Sequence, residues 1–181
     1  MMSTGTSGID LRSYVRDIPD FPRSGIVFKD ITPLLLDRHA LGTAIDGLVA
    51  YARPLGVELV VAAEARGFIL GGALARALGA GFVPARKPGK LPHETVSAEY
   101  LLEYGVDALE VHADALAGGA RVLVHDDLLA TGGTARAVCD LVSGLGAHVV
   151  GCAFLVELAF LGGRARLAPH DVFALIEYAS A

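Results

Sequence analysis

The sequence predicts an α/β fold: a mostly parallel central sheet flanked by helices, with a β-hairpin inserted between two of its strands. Three observations predict it. Strand-length apolar runs alternate with stretches of helical periodicity. The apolar runs are continuous rather than alternating, as expected of strands covered on both faces. One segment, residues 87–114, breaks the rhythm and reads as an insertion. Sheets of this kind bind ligands beyond the carboxyl ends of their strands, so the loops after each strand are where function is sought.

The elements follow in order. Residues 1–8 hold neither a basic start nor an apolar run and are expected to form a short mobile tail, not a secretory signal. Leu41, Ala44, Ile45, Leu48, Val49 and Ala52 share one helical face. Val57 to Ala63 is a strand. Leu70, Ala73, Leu74, Ala77 and Leu78 mark a second helix, and Phe82 to Arg86 a second strand. Lys87-Pro88-Gly89-Lys90-Leu91-Pro92 cannot be helix. After it, Val96, Ala98, Tyr100 and Leu102 alternate with Ser97, Glu99, Leu101 and Glu103. Ala108 to Val111 follows the turn at Gly105, which completes the hairpin. A long insertion in a compact domain commonly serves as a lid or binding loop. Arg121 to His125 resumes the sheet, a helix covers about Thr134 to Leu145, and Val149 to Val156 and Val172 to Tyr178 close it.

Composition bounds the function. The 181 residues suit a single domain spanning 1–181. With 53% hydrophobic and 19% charged residues the chain is not disordered. A net charge of −5 excludes a global positive field for nucleic acid, so an anionic ligand needs a local cationic cluster. Mean hydropathy is +0.51, yet the longest uncharged stretch, Leu141 to Val156, is 16 residues and broken by glycines. That is too short and too interrupted to span a bilayer. Cys139 and Cys152 lack metal or redox spacing and read as buried thiols of a cytoplasmic protein.

The run from Arg121 to Thr134 carries the chemistry. A buried strand ends in Asp126-Asp127, a loop of small residues follows (Ala130-Thr131-Gly132-Gly133-Thr134), and an amphipathic helix begins. Backbone N–H groups of such a loop converge on an anion at the helix N-terminus. Thr131 and Thr134 add hydroxyl donors. Two adjacent carboxylates would repel a bare polyanion. They make sense accepting hydrogen bonds from sugar hydroxyls or facing a divalent cation brought in with the ligand. A phosphate at one end and vicinal hydroxyls at the other describe a ribose 5-phosphate. The plainer alternative, a solvated strand end and an ordinary turn, suits a lone Gly-Gly but not the whole array. The cationic cluster that the net charge demands is Arg66 after one strand and Arg86, Lys87 and Lys90 after the next. Such donors stabilise charge that accumulates on a phosphate leaving group.

The array resembles the phosphoribosyl pyrophosphate (PRPP) signature of the type I phosphoribosyltransferases. Phe21-Pro22-Arg23-Ser24-Gly25-Ile26-Val27-Phe28-Lys29-Asp30, Glu64-Ala65-Arg66-Gly67, Arg86-Lys87-Pro88-Gly89-Lys90-Leu91-Pro92 and Leu102-Glu103-Tyr104-Gly105 occur in the order seen in the adenine branch of that family. The resemblance covers nearly everything from Ile18 to Tyr178. It implies the type I phosphoribosyltransferase fold and a pentosyl transfer from PRPP to adenine, giving AMP and pyrophosphate in purine salvage.

By resemblance, Asp126, Asp127, Ala130, Thr131, Gly132, Gly133 and Thr134 bind the ribose and 5′-phosphate. Ala65, Arg66, Arg86, Lys87 and Lys90 bind pyrophosphate. Val27, Phe28, Lys29 and Leu158 bind adenine, and Glu103 is the catalytic acid/base. Mg²⁺ is expected to arrive with PRPP, held mainly by substrate and not by a direct protein site. The resemblance further implies a homodimer in the cytoplasm, with no nucleic-acid or membrane partner. The alternatives are a sister purine transferase for hypoxanthine, guanine or xanthine, and a non-catalytic PRPP-binding regulator. Two residues depart from the family pattern. Lys29 stands for a more usual Arg. His125 stands for an apolar residue and is either a buried, satisfied histidine or a perturber of Asp126.

Overall fold

The computed structural model describes residues 8–102, 105–116 and 118–180. The chain divides into two compact units, Met1–Asp46 and Gly47–Ala181. In the first, β1 (Arg16–Pro19) pairs antiparallel with β2 (Val27–Asp30), and α1 (Thr32–Leu36) follows. Lys29 is buried in β2 and its Nζ donates to Asp17 Oδ1 at 2.7 Å. The helix α2 (Arg38–Ala52) runs on into the second unit. Its expected apolar face is seen: Ala44, Leu48, Val49 and Ala52 are buried.

The second unit is built on β3 (Leu59–Ala63), α3 (Gly67–Leu78), β4 (Gly81–Ala85), the hairpin β5 (Thr95–Leu102) and β6 (Gly105–His112), β7 (Arg121–Leu129), α4 (Gly133–Gly144), β8 (His148–Leu158), α5 (Gly163–Arg166) and β9 (Val172–Tyr178). Five strands form a parallel sheet in the order β4-β3-β7-β8-β9. The continuous apolar runs are its strands, and α3 and α4 cover it. Val61, Val124 and Phe154 of the sheet share one core with Val138 and Leu141 of α4. Leu109 and Val111 of β6 are buried in that same core. The hairpin is therefore rooted by apolar packing as well as by the Arg86–Glu110 backbone pair, with N···O distances of 2.8 and 2.7 Å.

Two strand ends differ from expectation. β7 does not stop at His125 but runs through both aspartates to Leu129. β3 pairs with it only as far as Ala62 opposite His125. β8 continues the pairing, with Leu128 opposite Val156 and Leu129 opposite Glu157. Backbone pairing to β8 thus carries charged residues that hydrophobicity alone would assign to a loop. β8 likewise runs two residues further than expected, to Leu158. Among the described residues no helix is long and apolar enough to cross a membrane.

Candidate active site

The end of β7, the loop after it and the start of α4 enclose a small cavity of about 70 Å³, lined by Asp126 and residues 128–135. Gly132 is the residue that makes the turn: its φ is +79°, where a side chain is strained. No side chain caps α4, and the first intrahelical bond runs from Arg136 N–H to the Gly132 carbonyl at 2.9 Å. The N–H groups of the first turn therefore lack internal partners and sit at the positive end of the helix dipole. Ala130, Thr131, Gly132, Gly133 and Thr134 all line this cradle.

The two aspartates are not equivalent. Asp126 lines the cavity. Asp127 is only 4% exposed and turns instead to Arg66, whose Nε lies 2.7 Å from its Oδ2. The Asp127 N–H donates to Asp126 Oδ1 at 2.9 Å. Burial pushes the Asp126 carboxyl well above its usual range, and the neighbouring Asp127 charge pushes the same way. Burial also raises Asp127, with the Arg66 guanidinium opposing it. Such a pair is suited to a ligand that brings hydroxyl donors or positive charge.

His125 settles into neither expected role. It is 1% exposed, and Nδ1 lies 2.8 Å from the Ala153 carbonyl, to which it donates. Among the described residues Nε2 has no hydrogen-bond partner. Burial drives its pKa down to about 4, so the ring is neutral and places no charge beside Asp126. It is a half-satisfied core histidine.

The expected cations lie at the carboxyl ends of β3 and β4, but carboxylates already hold Arg66, Arg86 and Lys87. Glu64, at the end of β3 and joined to Ala65 by a cis peptide, receives Arg86 Nη2 at 3.0 Å and Nε at 3.2 Å on Oε2. The Lys87 N–H donates to Glu64 Oε1. Burial works against ionisation of Glu64, but the Lys87 N–H and the Arg86 guanidinium outweigh it and hold the carboxyl below its usual range. Arg86 Nη1 also donates to the Lys90 carbonyl at 3.1 Å. Lys87 Nζ reaches Asp107 Oδ2 at 3.0 Å, and the Tyr100 hydroxyl donates to the same oxygen at 3.2 Å. Burial raises the Tyr100 pKa, and Thr134 at the start of α4 opposes it by favouring the ionised form. Polar contacts thus run from Lys87 through Asp107 to Tyr100 of the hairpin. Tyr100 and Asp107 were not singled out from sequence, and Glu64 stood there only within the Glu64-Ala65-Arg66-Gly67 motif, with no role of its own. Asp107 shares a face of β6 with the buried Leu109 and Val111, and a charge on that face was the available signal.

Val27, Phe28 and Lys29 form most of β2, and Leu158 is the last residue of β8. Glu103 lies outside the described residues. Among the described residues no three His, Cys, Asp or Glu side chains gather as metal ligands.

Comparison with known proteins adds a separate line of observation. Residues 36–173 match the family model described as the phosphoribosyl transferase domain. The adenine phosphoribosyltransferase of Rubrobacter xylanophilus is 57% identical over 169 residues, covering 93% of this chain and 91% of that protein. A crystal structure of adenine phosphoribosyltransferase from Thermoanaerobacter pseudethanolicus superposes with a TM-score of 0.91 at 52% identity, covering 93% of this chain and 98% of the other. The Saccharomyces cerevisiae enzyme, complexed with an imino-altritol bisphosphate and adenine, gives 0.87 at 39% identity over 91% of this chain and 96% of its own. Likeness of this degree across nearly the whole length leaves one assignment: the chain belongs to the phosphoribosyl transferase family and, within it, to the adenine phosphoribosyltransferases.

Proposed function

We propose that this chain transfers the 5-phosphoribosyl group of PRPP to adenine, forming AMP and pyrophosphate in purine salvage. The observation that carries the reading is the cradle between β7 and α4, where uncapped N–H groups, two threonines and a partly buried acid line one small cavity. Ala130, Thr131, Gly132, Gly133 and Thr134 hold the terminal phosphate. Asp126 accepts from the ribose hydroxyls, and Asp127 acts beside it while orienting Arg66. Ala65, Arg66, Arg86, Lys87 and Lys90 receive pyrophosphate. Val27, Phe28 and Lys29 offer adenine a stacking surface and backbone groups, and Leu158 offers an apolar wall.

In the transfer, adenine N9 forms a bond to C1′ of the ribose. The C1′–O bond breaks, and its electron pair leaves on pyrophosphate. The N9 proton passes to the Glu103 carboxylate, acting as general base. The cationic cluster offsets the charge that grows on the leaving oxygens. The hairpin of residues 87–114 closes over the reacting atoms and excludes water.

The acid pair fits Mg²⁺ brought in on PRPP. Both carboxyls are raised by burial, and Asp126 also by the Asp127 charge, so both gain from a nearby cation. Mg²⁺ would be held mainly by water and substrate oxygens, and Asp126 and Asp127 would supply negative charge beside it. When bound, the ion would offset the negative charge of the pyrophosphate oxygens. A cytoplasmic location is supported by Cys139 and Cys152, which stand 3.7 Å apart as free thiols. A homodimer is supported by Ile69 of α3 and Phe82 of the edge strand β4, both exposed.

The test is nucleotide formation from labelled adenine, hypoxanthine and guanine with PRPP and Mg²⁺. AMP from adenine alone is expected. A nucleotide from another base with none from adenine points to a sister transferase. Binding of PRPP with no turnover of any base points to a regulator.

A further inference from the structure

The penultimate residue of β8 is an acid that the transfer does not use. Glu157 follows a run of buried apolar residues and is itself only 2% exposed. A carboxylate in that position is costly without a partner. The partner is Arg164 of α5, whose Nε donates to Glu157 Oε1 at 3.1 Å and whose Nη2 donates to Oε2. The third nitrogen, Nη1, donates to the Val172 carbonyl at the start of β9. One guanidinium thus ties α5 to the ends of two neighbouring strands.

The residue directly before it meets the phosphate loop. A Cβ on Gly163 would overlap the Ala130 carbonyl oxygen and lie 3.0 Å from Leu129 Cδ1. A Cβ on Gly132 would lie 2.7 Å from the Gly163 carbonyl oxygen. Two glycines, one from each loop, let the backbones touch with no side chain between them. The phosphate loop has little of its own to fix it, since α4 has no side-chain cap. Its support comes from outside, from the turn that Arg164 pins.

We propose that Arg164 is a positioning residue for PRPP: its fork onto Glu157 holds Gly163 against Ala130 and Gly132 and thereby sets the phosphate loop. The inference rests on the proposed reading of that loop as the 5′-phosphate site. Arg164 acts through Gly163 and not on substrate. Leu158 does not depend on it, being held in strand register opposite Tyr178. Loss of the fork should therefore separate the two substrates.

Arg164→Lys tests this, because it keeps the charge and gives up the planar fork. Ribose 5-phosphate affinity is measured by calorimetry on the full chain, and KM for PRPP and for adenine by initial rates. The expected result is about a tenfold loss of ribose 5-phosphate affinity with a matching rise in KM for PRPP, since small displacements of a positioning group are costly. KM for adenine should stay put. Gly163→Ala should give the same split by pushing on Ala130 directly, and it decides the matter if the lysine variant does not fold. A lower melting temperature with unchanged ribose 5-phosphate affinity and unchanged KM for PRPP overturns the proposal, as does an equal rise in both KM values. If the unaltered chain fails to bind ribose 5-phosphate, the functional reading itself falls, and this inference with it.

Discussion

On the proposed reading, the phosphate loop and the cationic corner bind one ligand in opposite ways. The loop is made of backbone: small residues, a left-handed glycine, and a helix start with no side-chain cap. The corner is made of side chains, and carboxylates already occupy them: Arg86 on Glu64, Lys87 on Asp107, Arg66 on Asp127. A backbone site is fully formed before ligand arrives and binds by filling. A side-chain site of paired charges binds by exchanging partners, so its affinity is the difference between two sets of ion pairs. The first end of PRPP should therefore act as a fixed anchor, and the second as the end that is gripped and released during the reaction.

Breaking either region, or the hairpin between them, should give distinguishable results. The largest effect is expected at Glu103. Replacing it with Gln should lower kcat by about 10²–10³-fold through loss of proton transfer, with little change in KM for PRPP. Single-turnover rates would check this, and a matching change in KM would assign Glu103 to binding instead.

The next effect concerns the strand beneath the loop and is read as stability. His125 has a folded pKa of about 4 against an ordinary 6.5. The unfolded chain therefore binds a proton more readily than the folded one. Stability is complete above pH 6.5 and is lost as pH falls toward 4, by about 3 kcal/mol from this residue. Asp126 titrates in the opposite sense, so the useful quantity is the difference between wild type and His125→Leu at each pH. Denaturant unfolding should show that the variant loses less stability on acidification. Parallel pH curves would contradict the assignment.

Gly132→Ala is expected to cost about 1–3 kcal/mol in PRPP binding, combining a strained left-handed residue with contact on the Gly163 carbonyl. Adenine affinity should be spared. The smallest effect is expected at the corner. Lys87→Met should weaken pyrophosphate inhibition by about tenfold or less, because the lysine must give up Asp107 before it can serve the ligand, so its net contribution is small. Ribose 5-phosphate affinity should not move. If the variant weakened both ligands equally, the division between anchor and exchanging grip would be lost.

The two regions also differ in how much of them the sequence reveals. The loop was legible because its logic is local: a strand, small residues and a helix succeed one another within Arg121 to Leu145. The strands were legible because burial on both faces leaves continuous apolar runs. Where β7 ends was not, because pairing with β8 carries Asp126 and Asp127 inside the sheet. The corner was half legible. Its cations stood together in sequence, but Glu64 lies 22 residues before Arg86, and Asp107 comes from the far strand of the hairpin. Such partners are set by tertiary folding, not by spacing. Glu157 and Arg164 were missed for the same reason. The clue would have been a single acid closing an apolar strand.

The most direct test of the anchor is amide NMR with ribose 5-phosphate, a ligand that has the terminal phosphate and lacks the pyrophosphate. The N–H resonances of Thr131 to Ala135 should shift on titration, while those of Arg86 to Lys90 remain in place. Shifts confined to Arg86 to Lys90, or none in the loop, would contradict the central claim.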